Sequence, residues 1–263
     1  MNGSRSSQLL AVLNLLGLLG VLVVNALANA LPINGVTTGE LSDLYPNLFV
    51  PAGLTFSIWG VIYALLILFI IYQLLSVIKK TPQGYSFTGQ IGIFFFISCI
   101  ANIGWIFAWH YMTLPLSLVL MLLLLGSLIT IYVRLHIGRS GAPNSERYMV
   151  HLPFSIYLGW ITIATIANVT ALLVDAGWNN FGLGEQFWAV LVIAVGIAIT
   201  MIFLFTRRDI FYALVVDWAL LGILLKRLAD TSMPDWYVTI AAIAGLALVT
   251  LGLLFQLIRK KVY

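Results

Sequence analysis

Apolar runs long enough to cross a bilayer recur from one end of the chain to the other, separated by short clusters of Gly, Pro, Asn, Arg and Lys. A hydrocarbon core about 30 Å thick takes roughly 20 mostly apolar residues in an α-helix. On that measure eight spans are predicted, near residues 8–30, 53–78, 88–110, 113–135, 150–174, 185–206, 210–226 and 237–258. The seventh is short and carries Asp217. Lipid offers no partner to an open backbone, so the predicted fold is all-α, a polytopic membrane helix bundle. No stretch reads as a soluble domain, and no linker is long enough to separate two.

The breaks between spans are themselves informative. The first outer loop, about 31–50, collects the turn formers Pro32, Asn34-Gly35, Thr37-Thr38-Gly39 and Pro46-Asn47, and is expected to be a compact cap rather than a strand. Between spans three and four, His110 to Thr113 turns the chain tightly, which makes those spans antiparallel neighbours. Arg5, an apolar run and Ala28-Asn29-Ala30 imitate a secretory signal with a cleavage site. The apolar stretch from Leu9 to Leu27 exceeds the usual ~7–15-residue signal core, so it is read as a retained first span, with cleavage as the alternative.

Composition agrees with the pattern. Of the 263 residues 62% are hydrophobic and 8% charged, against roughly 25% charged in soluble domains, which excludes an ordinary globular protein. The net charge of +4 comes from basic residues at helix ends, not from one patch, so nucleic acid is not an expected partner. Placing both termini in the cytoplasm leaves only Lys226 and Arg227 outside. Arg5, Lys79, Lys80, Arg134, Arg139, Arg147, Arg207, Arg208, Arg259, Lys260 and Lys261 then all lie inside. The positive-inside rule therefore predicts a multi-pass inner-membrane protein with eight crossings. Cys99 is the only cysteine, which excludes an internal disulfide and a cysteine metal cluster.

Candidate chemistry lies on three helix faces. Phe56, Trp59 and Tyr63 share a face of span two; Asn102, Trp105 and Trp109 share one of span three; Tyr157, Trp160, Ala164 and Asn168 share one of span five. Trp59, Asn102, Trp105 and Asn168 lie at similar depths, roughly 8–12 Å in from the outer helix ends at 1.5 Å per residue. One aromatic-walled pocket in the outer half, roofed by the first loop, would satisfy all three helices. Simpler roles compete with that reading. Trp109, Trp178, Trp188 and Trp236 sit at helix ends, where interfacial anchoring suffices. The deeper Trp59, Trp105 and Trp160 either pack between helices or wall a ligand. Asn102 and Asn168 either bond neighbouring helices, for ~0.6–2 kcal/mol, or meet a ligand.

Asp217 is the one carboxylate deep in a predicted span. It is expected to be protonated, paired with Lys226 or Arg227, or part of a proton or ion path, the last making a secondary transporter the rival function. No two histidines stand at i, i+4 and no ligand set completes around His110, His136 or His151, so no metal or helix-ligated haem site is expected. Phosphate-loop, zinc-protease, nucleophile-elbow and dinucleotide fingerprints are absent, and span seven has no mid-span lysine for a retinal. No catalytic residues are assigned, and binding or sensing is expected in place of catalysis.

These residues resemble the TspO/MBR family, the tryptophan-rich sensory proteins related to the mitochondrial translocator protein. Pro51, Phe56, Trp59 and Tyr63 are similar to the opening of that family's second helix, and Asn102 with Trp105 to its third. The segment from Leu152-Pro153 through Tyr157, Trp160 and Ala164 to Asn168 is similar to its fifth. The resemblance covers residues 1–175 as a five-helix bundle and leaves 176–263 as three additional C-terminal helices. It implies a cavity for a hydrophobic planar small molecule, protoporphyrin or a haem-like tetrapyrrole, with no cofactor required. It also implies cavity positions for Trp59 and Trp160, a ligand contact for Asn102, and room left by Ala164. Porphyrin breakdown enters only through that resemblance. The chain departs from the family where Asn168 is followed by Val-Thr-Ala-Leu-Leu-Val-Asp, which lacks the Tyr and basic residue of the sterol-linked pattern. The added helices would complete the bundle, mediate a homodimer or replace a second subunit. A purely structural membrane subunit is the third reading.

Overall fold

The computed structural model describes residues 2–30, 33–230 and 235–259. Pro32 of the first loop and the basic pair Lys260-Lys261 lie outside the described residues. Among the described residues every regular element is helical: α1 (Asn2–Ala30), α2 (Thr38–Asp43), α3 (Ile58–Ile78), α4 (Pro82–Ile91), α5 (Phe94–His110), α6 (Leu114–Arg134), α7 (Asn144–Glu146), α8 (Leu152–Asp175), α9 (Glu185–Thr206), α10 (Ile210–Ala229) and α11 (Trp236–Ile258). Six continuous helical stretches are long and apolar enough to cross a membrane: Arg5–Ala30, Gly53–Ile78, Leu114–Arg134, Asn144–Asp175, Glu185–Thr206 and Trp236–Ile258. The protein is a polytopic helical membrane bundle.

Two of the expected spans take a different form. The third is a bent pair, α4 and α5, meeting at 48°. Gly92 makes the break: its φ of 57° lies in the left-handed region, which a side chain disfavours. Thr81 starts α4 by accepting the Gly84 N–H at 3.1 Å. The seventh is a regular 20-residue helix, α10, but Asp217, Lys226 and Arg227 keep it out of the apolar six. Its N-cap, Asp209, accepts from the Phe211 and Tyr212 N–H groups at 3.1 Å.

By packing, the chain forms two compact units. One comprises residues 1–37 and 59–158, the other residues 38–58 and 159–263. In the first, the tight turn after His110 folds α6 back along α5, as its length requires, and α1 packs against α4 and α5. Phe69, Phe95 and Phe154 meet edge to face at 5.1–5.7 Å between ring centres. Polar side chains link the helices where lipid gives them no other partner: the Asn14 amide donates to Gln73 at 3.3 Å, and Gln73 donates to Thr88 at 3.2 Å.

In the second unit α9, α10 and α11 pack against one another. The expected compact cap supplies α2 here, and Asn47 folds its own loop by accepting from the Phe49 and Val50 N–H groups at 3.0 Å. A 3₁₀ turn, Gly53–Ser57, is fastened to α10: Ala52 N–H donates to the Gly222 carbonyl and the Trp218 indole donates to the Thr55 carbonyl, both at 2.9 Å.

Candidate ligand site

Within the first unit, rings from three helices meet. Trp59 of α3 lies at its centre, with Tyr63 stacked at 5.5 Å, Trp105 of α5 at 6.1 Å and Tyr157 of α8 at 6.2 Å, edge-on. Asn102 is fully buried among the same helices. Its carbonyl accepts from the Asn25 amide at 2.8 Å, and its own amide donates to the Tyr157 hydroxyl at 3.2 Å. Asn102 therefore does bond neighbouring helices. The Trp105 indole is 5% exposed, and its N–H has no acceptor among the described residues.

In the second unit Phe56 and Trp160 meet edge to face at 6.0 Å. Trp160 and Asn168 are both buried at 2% exposure, and Ala164 is half-buried. The nine candidate residues thus divide five to the first unit (Trp59, Tyr63, Asn102, Trp105, Tyr157) and four to the second (Phe56, Trp160, Ala164, Asn168).

Some expectations need correction. Trp109, expected as an interfacial anchor from its place at a helix end, is buried and stacked on Trp105 at 6.0 Å. Trp236 keeps the anchor's exposure, at 67%. Asp217 is paired with neither Lys226 nor Arg227, because those side chains leave from the far end of α10. Lys226 forms an ion pair with Asp43 of α2, Arg227 lies 4.0 Å from Asp230, and Asp217 accepts from the Thr250 hydroxyl at 3.0 Å.

Sequence reasoning missed Asn25, Thr55, Trp218 and Gly222. An amide inside an apolar run was the available signal for Asn25, since such a group is retained in lipid only with a partner. Nothing local marks the other three, whose roles come from a loop and a helix remote in sequence.

The second unit also holds a cavity of about 460 Å³ along α8 and α9, and none of the nine candidate residues lines it. Phe49, Ile166 and Val192 form part of its wall, and Trp178, Trp188 and Glu185 line it at the α8–α9 connection. Nearby, burial first and the Asp175 carboxylate second hold the Tyr45 hydroxyl above its ordinary pKa, so it stays protonated at neutral pH. Among the described residues no group of three or more His, Cys, Asp or Glu is placed to hold a metal ion.

Chemically, the aromatic cluster offers flat indole and phenol faces, spare buried donors in the Trp105 N–H and the Tyr63 hydroxyl, and an amide pair, and it contains no nucleophile next to a base. A family model described as TSPO-like protein matches residues 11–255, and so runs through the three C-terminal helices as well. No curated protein and no solved structure matches the chain.

Proposed function

The chain belongs to the TSPO-like family, and from that membership together with the aromatic cluster we propose that it binds a hydrophobic, planar small molecule of tetrapyrrole type, for sensing or transport. The observation that carries this reading is the buried Trp105 N–H with no acceptor, set beside indole and phenol rings from three helices. An unpaired buried donor costs roughly 1–3 kcal/mol, a penalty that a ligand nitrogen or carboxylate would relieve. Flat rings stack on indole for ~0.5–1.5 kcal/mol beyond their buried area. In the first unit the residues proposed to meet the ligand are Trp59, Tyr63, Asn102, Trp105 and Tyr157; Phe56, Trp160, Ala164 and Asn168, proposed on the same resemblance, belong to the second.

Protoporphyrin titrated into the purified protein is expected to quench tryptophan fluorescence saturably. Trp59→Phe and Trp105→Phe in the first unit should each weaken binding about three- to tenfold, the range of one lost stacking or hydrogen-bond contact, and Trp160→Phe tests the second unit's residues by themselves. Equal affinity in all three variants and the wild type would remove these rings from the site.

The same reading places the protein in the cell's inner membrane with both termini in the cytoplasm, on the distribution of its Lys and Arg residues. A reporter fused to the C-terminus should be active only in its cytoplasmic form. Activity of a periplasmic reporter at that position would reverse the orientation.

A further inference from the structure

The cavity along α8 and α9 has a construction of its own. On α8 its lining includes Thr165, Val169 and Leu173, whereas Trp160, Ala164 and Asn168 lie on the other side of that helix. At about 100° per residue the two sets are separated by roughly half a turn. On α8 the cavity is therefore separate from Trp160, Ala164 and Asn168.

Its depth and walls fit hydrocarbon. Thr165 lies ten residues in from the α8 end at Asp175, about 15 Å at ~1.5 Å per residue, or about half of a ~30 Å hydrocarbon core. Val192 lies seven residues in from the start of α9 at Glu185. Val169 and Val174 are partly exposed, so the space opens sideways toward the bilayer. A volume of about 460 Å³ falls within the ~300–1,000 Å³ of small-molecule sites.

Its mouth has an interfacial character. Trp178 and Trp188 pack at 4.9 Å with Phe181 beside both, the kind of aromatic group found where hydrocarbon meets headgroups. Two of the donors there are already used: the Trp188 indole donates to the Asn180 carbonyl at 2.9 Å, and the Asn47 amide donates to the Tyr45 carbonyl at 2.8 Å. The charged group there is an acceptor. Glu185 is the one ionisable side chain in the lining, and no cation stands within ion-pair distance of it among the described residues.

We infer that this cavity is a second binding site, for an amphiphile with one apolar body between α8 and α9 and a cationic, hydrogen-bond-donating head on Glu185. An anionic head would be repelled by that carboxylate, with no cation in the lining to offset it. A long-chain amine fits this pattern, and a fatty acid of the same length does not.

The test uses the full chain in phosphatidylcholine nanodiscs at neutral pH, with dibrominated dodecylamine as probe and dibrominated dodecanoic acid as comparison. Bromine quenches nearby indoles, so Trp178 and Trp188 report occupancy. The amine is expected to quench saturably and the acid only weakly. Glu185→Gln should weaken the amine about three- to fivefold, a modest factor because this carboxylate is exposed. Ala189→Leu and Val169→Phe fill the space and should each weaken it at least tenfold. Val169 is 37% exposed, so its larger replacement does not burden the fold. A linear, unsaturable quench, equal affinity for amine and acid, or unchanged binding in both filled variants would each overturn the inference.

Discussion

Replacing Phe69 by alanine is expected to lower the unfolding free energy by about 3 kcal/mol, the low end of the range for deleting a buried aromatic ring. Phe69 is fully buried and lies edge-on to both Phe95 and Phe154, at 5.3 and 5.1 Å. In water much of such a loss is the transfer free energy of the ring. In a bilayer that term falls away, because lipid tails are as apolar as the protein interior. What remains is the cavity and the dispersion contacts its lining loses, together with the ring–ring geometry. Titration with a denaturing detergent in mixed micelles, followed by far-ultraviolet circular dichroism, measures the change. A loss below about 1 kcal/mol would mean that the neighbouring rings collapse into the vacated space.

Gly222→Val is expected to cost about 1–3 kcal/mol through overpacking, and to loosen one end of the cap. A Cβ at Gly222 would stand 2.0 Å from Thr55 Oγ1 and 2.9 Å from Thr55 Cβ and Cγ2. Thr55 is 2% exposed and has no room to withdraw. Moving it also strains the two bonds that fasten this turn to α10, Ala52 N–H to Gly222 and Trp218 to the Thr55 carbonyl. Hydrogen exchange should therefore rise at Ala52 and Thr55 as stability falls. Adding Thr55→Ala removes two of the three clashing atoms, so the double variant should recover part of the loss. No recovery would place the damage elsewhere on α10.

Legibility in the sequence depended on how local each feature is. Apolar length is a property of one segment, so the expected spans coincide with helices, and the turn chemistry of Asn34-Gly35 and Pro46-Asn47 was enough to predict a cap without strands. The bend at Gly92 was less accessible. A glycine inside an apolar run reads equally as continuation, and only its φ shows the break. Asn102 shows the limit for the site. Its depth and face were readable, but Asn25, the amide it bonds, lies 77 residues away on another helix. Trp109 was misplaced for a related reason: a helix-end tryptophan faces lipid or protein according to which helix lies beside it.

The sequence by itself determined that this is a bundle of membrane helices and which side chains share each helix face, because span length and the 3.6-residue repeat are set within a segment. Only the tertiary structure decided which faces meet. It joined Trp59, Trp105 and Tyr157 around one centre, fastened Thr55 to α10, tied Lys226 to Asp43, and left open space along α8 and α9. In lipid one apolar surface is nearly as good as another, so hydrophobicity cannot choose among neighbours. Packing shape and a few buried polar bonds make that choice, and both depend on residues far apart in the chain.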